Sequence, residues 1–170
     1  MPSLPEAMQE FKAQLQRGVV QQAYRGLMDY LMTLKTYLKT RYPDYFVSGG
    51  LYQGYMDMAY FSFHPEAFKR RGLKIAVVFN FDTFAFEVWL GGYNKQVQAQ
   101  YWALFQQSGW NQYPLVPSLK GEDAIVTHTL VETPDFNDLD ALTQRIEAGT
   151  LTFIGEIEAF LSAQNDLPRG

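Results

Sequence analysis

Leu73-Lys74-Ile75-Ala76-Val77-Val78-Phe79-Asn80-Phe81, then Asp82-Thr83, then Phe84-Ala85-Phe86-Glu87-Val88-Trp89-Leu90. The first run is almost continuously apolar and β-branched or aromatic, the mark of a central strand covered on both faces. Asp82-Thr83 predicts a tight hairpin turn into the second run. There Phe84, Phe86, Val88 and Leu90 share one face, and Ala85, Glu87 and Trp89 the other.

Upstream, Leu51 to Phe63 alternates imperfectly and predicts a first strand. Tyr52, Met56, Met58 and Tyr60 lie on one face, and Gln53, Tyr55, Asp57 and Phe61 on the other. Pro65 ends it, and a short basic turn or helix at Lys69-Arg70-Arg71-Gly72 leads into the central strand. The first 41 residues read as two helices spanning 5–41. Pro5 suits a first turn, and Gly18 separates the two. Val20, Tyr24, Leu27, Leu31, Leu34 and Leu38 recur in steps of four and three, one apolar stripe, with Arg25, Lys35 and Lys39 left to solvent. Ala23, Tyr30 and Tyr37 widen that stripe, and Pro43 closes the helix.

Downstream, Gly91-Gly92 breaks the hairpin strand, and Asn94 is placed to cap a helix running to about Gln107. Val97, Tyr101, Leu104 and Phe105 give it a buried side. A loop from Gly109 to Gly121 precedes a fourth strand, Ala124–Val131. Asn137 and Asp138 cap a helix that Gly149 is expected to stop, and a last helix carries Phe153, Ile154, Ile157, Phe160 and Leu161. The expectation is one domain over 1–170, in the α+β class. A mostly antiparallel four-stranded sheet (51–131, with its crossover helix) follows the order ααβββαβαα, with C-terminal helices over 138–163.

Composition narrows the function. The 170 residues carry net charge −4, no cysteine and 47% hydrophobic residues. Disulfide scaffolds, thiol catalysis and cysteine-held metals are excluded, and the acidity argues against nucleic-acid partners. No apolar run approaches the ~20 residues of a membrane span, and the opening residues lack a signal-peptide pattern, so a cytoplasmic location is expected. Of the 27 aromatic residues (13 Phe, 11 Tyr, 3 Trp), 20 lie between Tyr42 and Tyr113.

Few motifs carry chemistry. His64 and His128 lack metal-ligand spacing, so no metal and no cofactor are expected. Ser48-Gly49-Gly50 precedes a strand and reads as a turn, not a nucleophile elbow. Gly92, Asn94 and Lys95 at the strand–helix junction form a weak candidate for an anion, because free amides at a helix start favour negative charge. Asp57 and Glu87 stand out as acids on strands that otherwise read apolar. Each shares a strand face with an aromatic two residues away, Tyr55 and Trp89. With His128 these residues form the candidate lining of a ligand-binding face, suited to a cation or a stacked ring. The strand order also resembles the core of the PD-(D/E)xK nucleases, with Asp82 and Glu87 in comparable places. Trp89 stands where that motif needs lysine, so a degenerate core without cleavage is expected.

Four blocks, Tyr42-Pro43-Asp44-Tyr45-Phe46-Val47-Ser48-Gly49, Leu51-Tyr52-Gln53-Gly54-Tyr55-Met56-Asp57-Met58, Phe86-Glu87-Val88-Trp89-Leu90 and Gly92-Tyr93-Asn94-Lys95-Gln96, resemble an uncharacterised bacterial family of unknown function. The resemblance runs from about Glu10 to the last helix. It implies a soluble bacterial protein and carries no activity, cofactor or catalytic residue. The expectation for function is therefore a non-catalytic module that binds a small molecule or a protein partner. The alternatives are a metal-dependent hydrolase using Asp82 and Glu87, and a homodimeric interaction protein. No nucleic-acid or membrane partner is expected, and the chain is expected to be a monomer or homodimer.

Overall fold

The computed structural model describes residues 1–165. Five helices and six strands follow one another as α1 (Leu4–Gln16), α2 (Val19–Arg41), β1 (Tyr45–Val47), β2 (Tyr52–Gln53), β3 (Met58–Pro65), α3 (Glu66–Arg70), β4 (Leu73–Asn80), β5 (Ala85–Gly92), α4 (Lys95–Gln107), β6 (Val126–Val131) and α5 (Leu139–Asn165). The class is α+β. The main sheet has the order β1-β3-β4-β5-β6, with β2 paired to β3, and every pairing is antiparallel.

The central strand of the sheet is β4, as its apolar run dictates. Leu73, Ile75, Val77 and Phe79 on one face are fully buried, and so are Phe61 and Phe63 of β3 and Phe86, Val88 and Leu90 of β5. Side chains from α2 (Leu27, Tyr30, Leu31, Leu34, Leu38), α4 (Phe105) and α5 (Leu142, Ile146, Phe153, Ile154, Ile157, Leu161) join them in one core. All three helices therefore lie on one side of the sheet. Burying a Leu- or Phe-sized side chain is worth about 1.5–3 kcal/mol, so this face dominates stability.

Within the helix layer, α2 and α5 are also tied to each other by polar contacts. Glu147 of α5 accepts from Tyr37 Oη and Tyr42 Oη, both at 2.6 Å, and from Arg41 Nε at 3.1 Å. Burial alone would raise its pKa, but these donors outweigh that and hold it below the usual carboxylate range.

Four expectations need correction. The sheet has six strands, not four: Tyr45–Val47 forms an edge strand on β3, and Leu51–Phe63 is two strands. They are separated by a turn in which Gly54 N–H donates to Met58 O at 2.9 Å. A side chain at Gly54 would run into the Asp57 carboxylate, so glycine makes this turn possible. Second, the C-terminal helices are a single helix running through Gly149. A Cβ at that position would stand 2.7 Å from Leu130 Cδ2, so the glycine lets α5 lie close on β6 and does not stop it. Third, Lys35 is not solvated. It is buried on α2, and its ammonium donates to Ser48 O at 3.2 Å. Fourth, Phe84 does not continue the face of Phe86. It sits in the β4–β5 turn at φ 54° and is 59% exposed.

Candidate functional site

Opposite the helices, the other face of the same strands holds a groove of about 470 Å³. Strand register explains its shape. In one row across β3, β4 and β5 stand Tyr60, Val78 and Glu87; in the next, Ser62, Ala76 and Trp89; then Lys74 beside Gly91. Tyr60 and Trp89 thus flank Ala76 diagonally, two large rings around a methyl group. Gly91 contributes no side chain, and the Asp123 carbonyl and the Lys74 stem close over it, 3.2 and 3.5 Å from where a Cβ would stand. Tyr52 of β2 stacks behind Tyr60, ring centroids 4.8 Å apart, and stiffens that wall.

The far end is closed by the start of α4 and the loop before β6. Asn94 caps the helix, its Oδ1 accepting from Val97 N–H at 2.8 Å. Gln98 is buried and donates to Glu122 O at 3.0 Å and Ala124 O at 3.2 Å, which pins the 122–124 loop. Lys95 Nζ donates to Glu122 O at 3.0 Å. A Cβ at Gly92 would lie 2.7 Å from Gln98 N, so only glycine lets β5 pass this close to the helix. Tyr93, half-exposed, and Asp123 complete the rim.

Lys74 and Asp123 give the groove both signs of charge. Lys74 Nζ lies 5.7 Å from the Tyr60 ring centroid, and among the described residues it forms no ion pair. The Tyr60 phenol is pushed above its ordinary value, by burial first and then by the charge of Asp123.

These positions sort the candidate residues. Trp89, Gly92, Asn94 and Lys95 all line the groove, so two patterns that read separately in the sequence meet at one place. Glu87 stands behind it: its Oε1 accepts from Trp89 Nε1 at 2.9 Å and its Oε2 from Thr83 Oγ1 at 2.7 Å. It is buried and aims the indole. Asp57 and Tyr55 are not on this face. They belong to the β2–β3 turn, where Asp57 Oδ1 accepts from Met58 N–H at 2.9 Å and Tyr55 is 98% exposed. His128 lies on the other side of the sheet. Its ring packs 4.5 Å from Tyr113 and 6.4 Å from Phe153 of α5, and burial lowers its pKa, with Glu156 opposing.

The nuclease-like reading gains no assembled site. Asp82 is in the β4–β5 turn, its N–H donating to Asn80 Oδ1 at 2.9 Å, and both Glu87 oxygens are engaged. Among the described residues no group of three or more His, Asp or Glu is placed to hold a metal ion, and no helix is long and apolar enough to cross a membrane.

Sequence reasoning did not assign Tyr60, Lys74, Ala76, Gly91, Gln98 and Asp123 to the ligand-binding face. The signal for three of them was present in β4 and β5. One lysine and one alanine share a face in an otherwise bulky run, and glycine follows Trp89 at the next same-face position.

The family model described as "Domain of unknown function (DUF7000)" matches residues 4–161, from the first residue of α1 almost to the end of α5. No curated protein and no solved structure matches the chain.

Proposed function

The chain belongs to the DUF7000 family of domains of unknown function, and from that premise we propose that it is a non-catalytic module that binds a small molecule in the groove over β3, β4 and β5. The observation that carries this reading is the pairing of two aromatic walls, Tyr60 and Trp89, around a small floor, Ala76, in a cavity of about 470 Å³. Ligand sites are concave and mostly apolar, with a few fixed polar groups, and volumes from about 300 Å³ upward are typical. Here the polar groups are Lys74, Asp123 and the α4 start. No nucleophile paired with a base stands among them, which favours binding over turnover. The cysteine-free composition needs no oxidising compartment, so a cytoplasmic setting is part of the proposal.

Native mass spectrometry of gently purified protein, wild type against Trp89→Leu and Trp89→Phe, tests it. The expected result is a protomer with added mass in the wild type and in Trp89→Phe, which keeps a ring, and a bare protomer for Trp89→Leu. Equal retention by all three variants would place the ligand elsewhere and end the reading.

A second reading, self-association, is supported by α1. A capping box at Ser3 and Glu6 specifies this helix, yet none of its residues is buried. Leu4, Met8 and Phe11 recur on one stripe and are 74%, 54% and 43% exposed. Sedimentation equilibrium at rising concentration checks it: a weight-average mass that stays at one protomer removes it.

A further inference from the structure

The groove's dimensions and charges narrow the class of ligand, an inference that rests on the binding reading above. Tyr60 stands on β3 and Trp89 on β5, two strands apart and one row offset along them, or about 12 Å backbone to backbone at the usual strand spacing and rise. With an aromatic wall on each side, a planar ring between them can stack on or abut both. Ala76 lies beneath that gap, because its row joins Trp89 on one side and it neighbours the Tyr60–Val78 row on the other. A puckered aliphatic ring has no π face to offer either wall. The aromatic walls therefore favour a flat ring.

Charge selects what the ring carries. Lys74 sits one row beyond Ala76, opposite Gly91, and its ammonium reaches back to 5.7 Å from the Tyr60 ring centroid. Its stem runs beside the position a Gly91 Cβ would take, with Cε 3.5 Å away, and its ammonium forms no ion pair among the described residues. Lys95 lines the same end but is held by Glu122 O, so it adds field and not a free donor. Asp123 is the opposing charge, and its backbone oxygen lies 3.2 Å from the position a Gly91 Cβ would take, at the same end of the groove as the Lys74 stem. The unpaired Lys74 ammonium suits an acid on the ligand, and Asp123 a hydrogen-bond donor next to that acid. We propose that the groove takes a flat aromatic or heteroaromatic ring bearing an acidic group, carboxylate or phosphate, with the ring between Tyr60 and Trp89 and the acid on Lys74. A charge-assisted bond to an ammonium inside such a groove is stronger than a neutral one and gives selectivity over the uncharged analogue.

Isothermal titration of the full chain with matched probes tests this: benzoate, phenyl phosphate, benzamide, benzylammonium and cyclohexanecarboxylate. Benzoate or phenyl phosphate should bind at least about tenfold more tightly than benzamide, benzylammonium and cyclohexanecarboxylate, the size expected of one charged hydrogen bond. Which of the two acids binds better identifies carboxylate or phosphate as the natural group. Lys74→Met keeps the stem, removes the charge and should bring the acids down to the benzamide level. If benzamide binds as well as the acids and Lys74→Met changes nothing, the acid assignment is overturned while the binding reading stands. If benzylammonium binds best, Asp123 and not Lys74 selects the ligand, and the assignment is likewise overturned. If cyclohexanecarboxylate matches benzoate, the flat-ring assignment fails. Binding of no probe at all, by wild type or variants, counts against the groove itself.

Discussion

The two faces of the sheet come from the same strands and do opposite work. Toward the helices, Phe61, Ile75, Val77, Phe79, Phe86 and Val88 alternate with no polar side chain between them, and all are fully buried. On the groove side, the intervening positions are Tyr60, Ser62, Lys74, Ala76, Val78, Glu87, Trp89 and Gly91, a mixture of large, small and charged in which Val78, Ala76 and Glu87 are buried. Uniform bulk closes one face and uneven bulk hollows the other. A protein needs the first to fold. The second adds nothing to folding that a plain polar surface would not, which is why it is the face to question for function.

The sharpest contrast lies in truncation. Phe61→Ala on the helix side should cost about 3–5 kcal/mol in urea unfolding, through the cavity it leaves. Tyr60→Leu, its neighbour on β3, should cost less than about 1.5 kcal/mol. Comparable costs would mean that the open face is a second core, and the comparison would break.

Next comes the polar tie behind the helices. Glu147→Gln should lose about 2 kcal/mol, because charge-assisted bonds from Tyr37, Tyr42 and Arg41 are weakened together. Since the folded-state pKa of Glu147 is lowered, its stabilisation is present above the ordinary carboxylate pKa and fades as pH falls through the folded value.

His64 gives a smaller effect at milder acidity. Burial pushes it down to about 4, and Ile75 N–H donates to its Nδ1 at 3.2 Å, which needs the neutral ring. The unfolded chain therefore binds the extra proton first, and stability falls as pH drops from about 6.5 toward about 4. Plotting unfolding free energy against pH for wild type and His64→Phe checks this: the variant's curve should be flatter across that window.

The smallest effect is at Gly149→Ala. The added methyl meets Leu130 Cδ2, an overpacking cost of about 1–3 kcal/mol that better helix propensity offsets by about 1. The net loss should disappear in the double variant with Leu130→Val.

How much of this was legible in the sequence follows from periodicity. The α2 stripe, the β4 run, the Asn94 cap and the α4 span could all be read, because each is a repeated local pattern. The split at Gly54 was hidden because Tyr55, Met56 and Asp57 keep the alternation going through a turn. The tertiary role of Gly149 was hidden too, since a glycine that admits a neighbouring strand looks like one that ends a helix. Burial of Lys35 depended on Ser48, far along the chain, arriving beneath it. At the site, Trp89 and Lys95 were singled out for different reasons. Their shared groove emerged only once β3, β4 and β5 were in register. Asp57 and His128 were misplaced by the same step, since a strand face cannot be assigned across a turn or a crossover without the pairing.

The most direct test of the central claim is amide NMR of the labelled protein during titration with a library of flat aromatic fragments. The account predicts shifts gathered at Ala76, Trp89, Gly91–Lys95, Gln98 and Asp123, with the Trp89 indole N–H among them and the α2 and α5 core amides unmoved. Shifts centred on α1 or on the Tyr55–Asp57 turn, or no shift from any fragment, would contradict it.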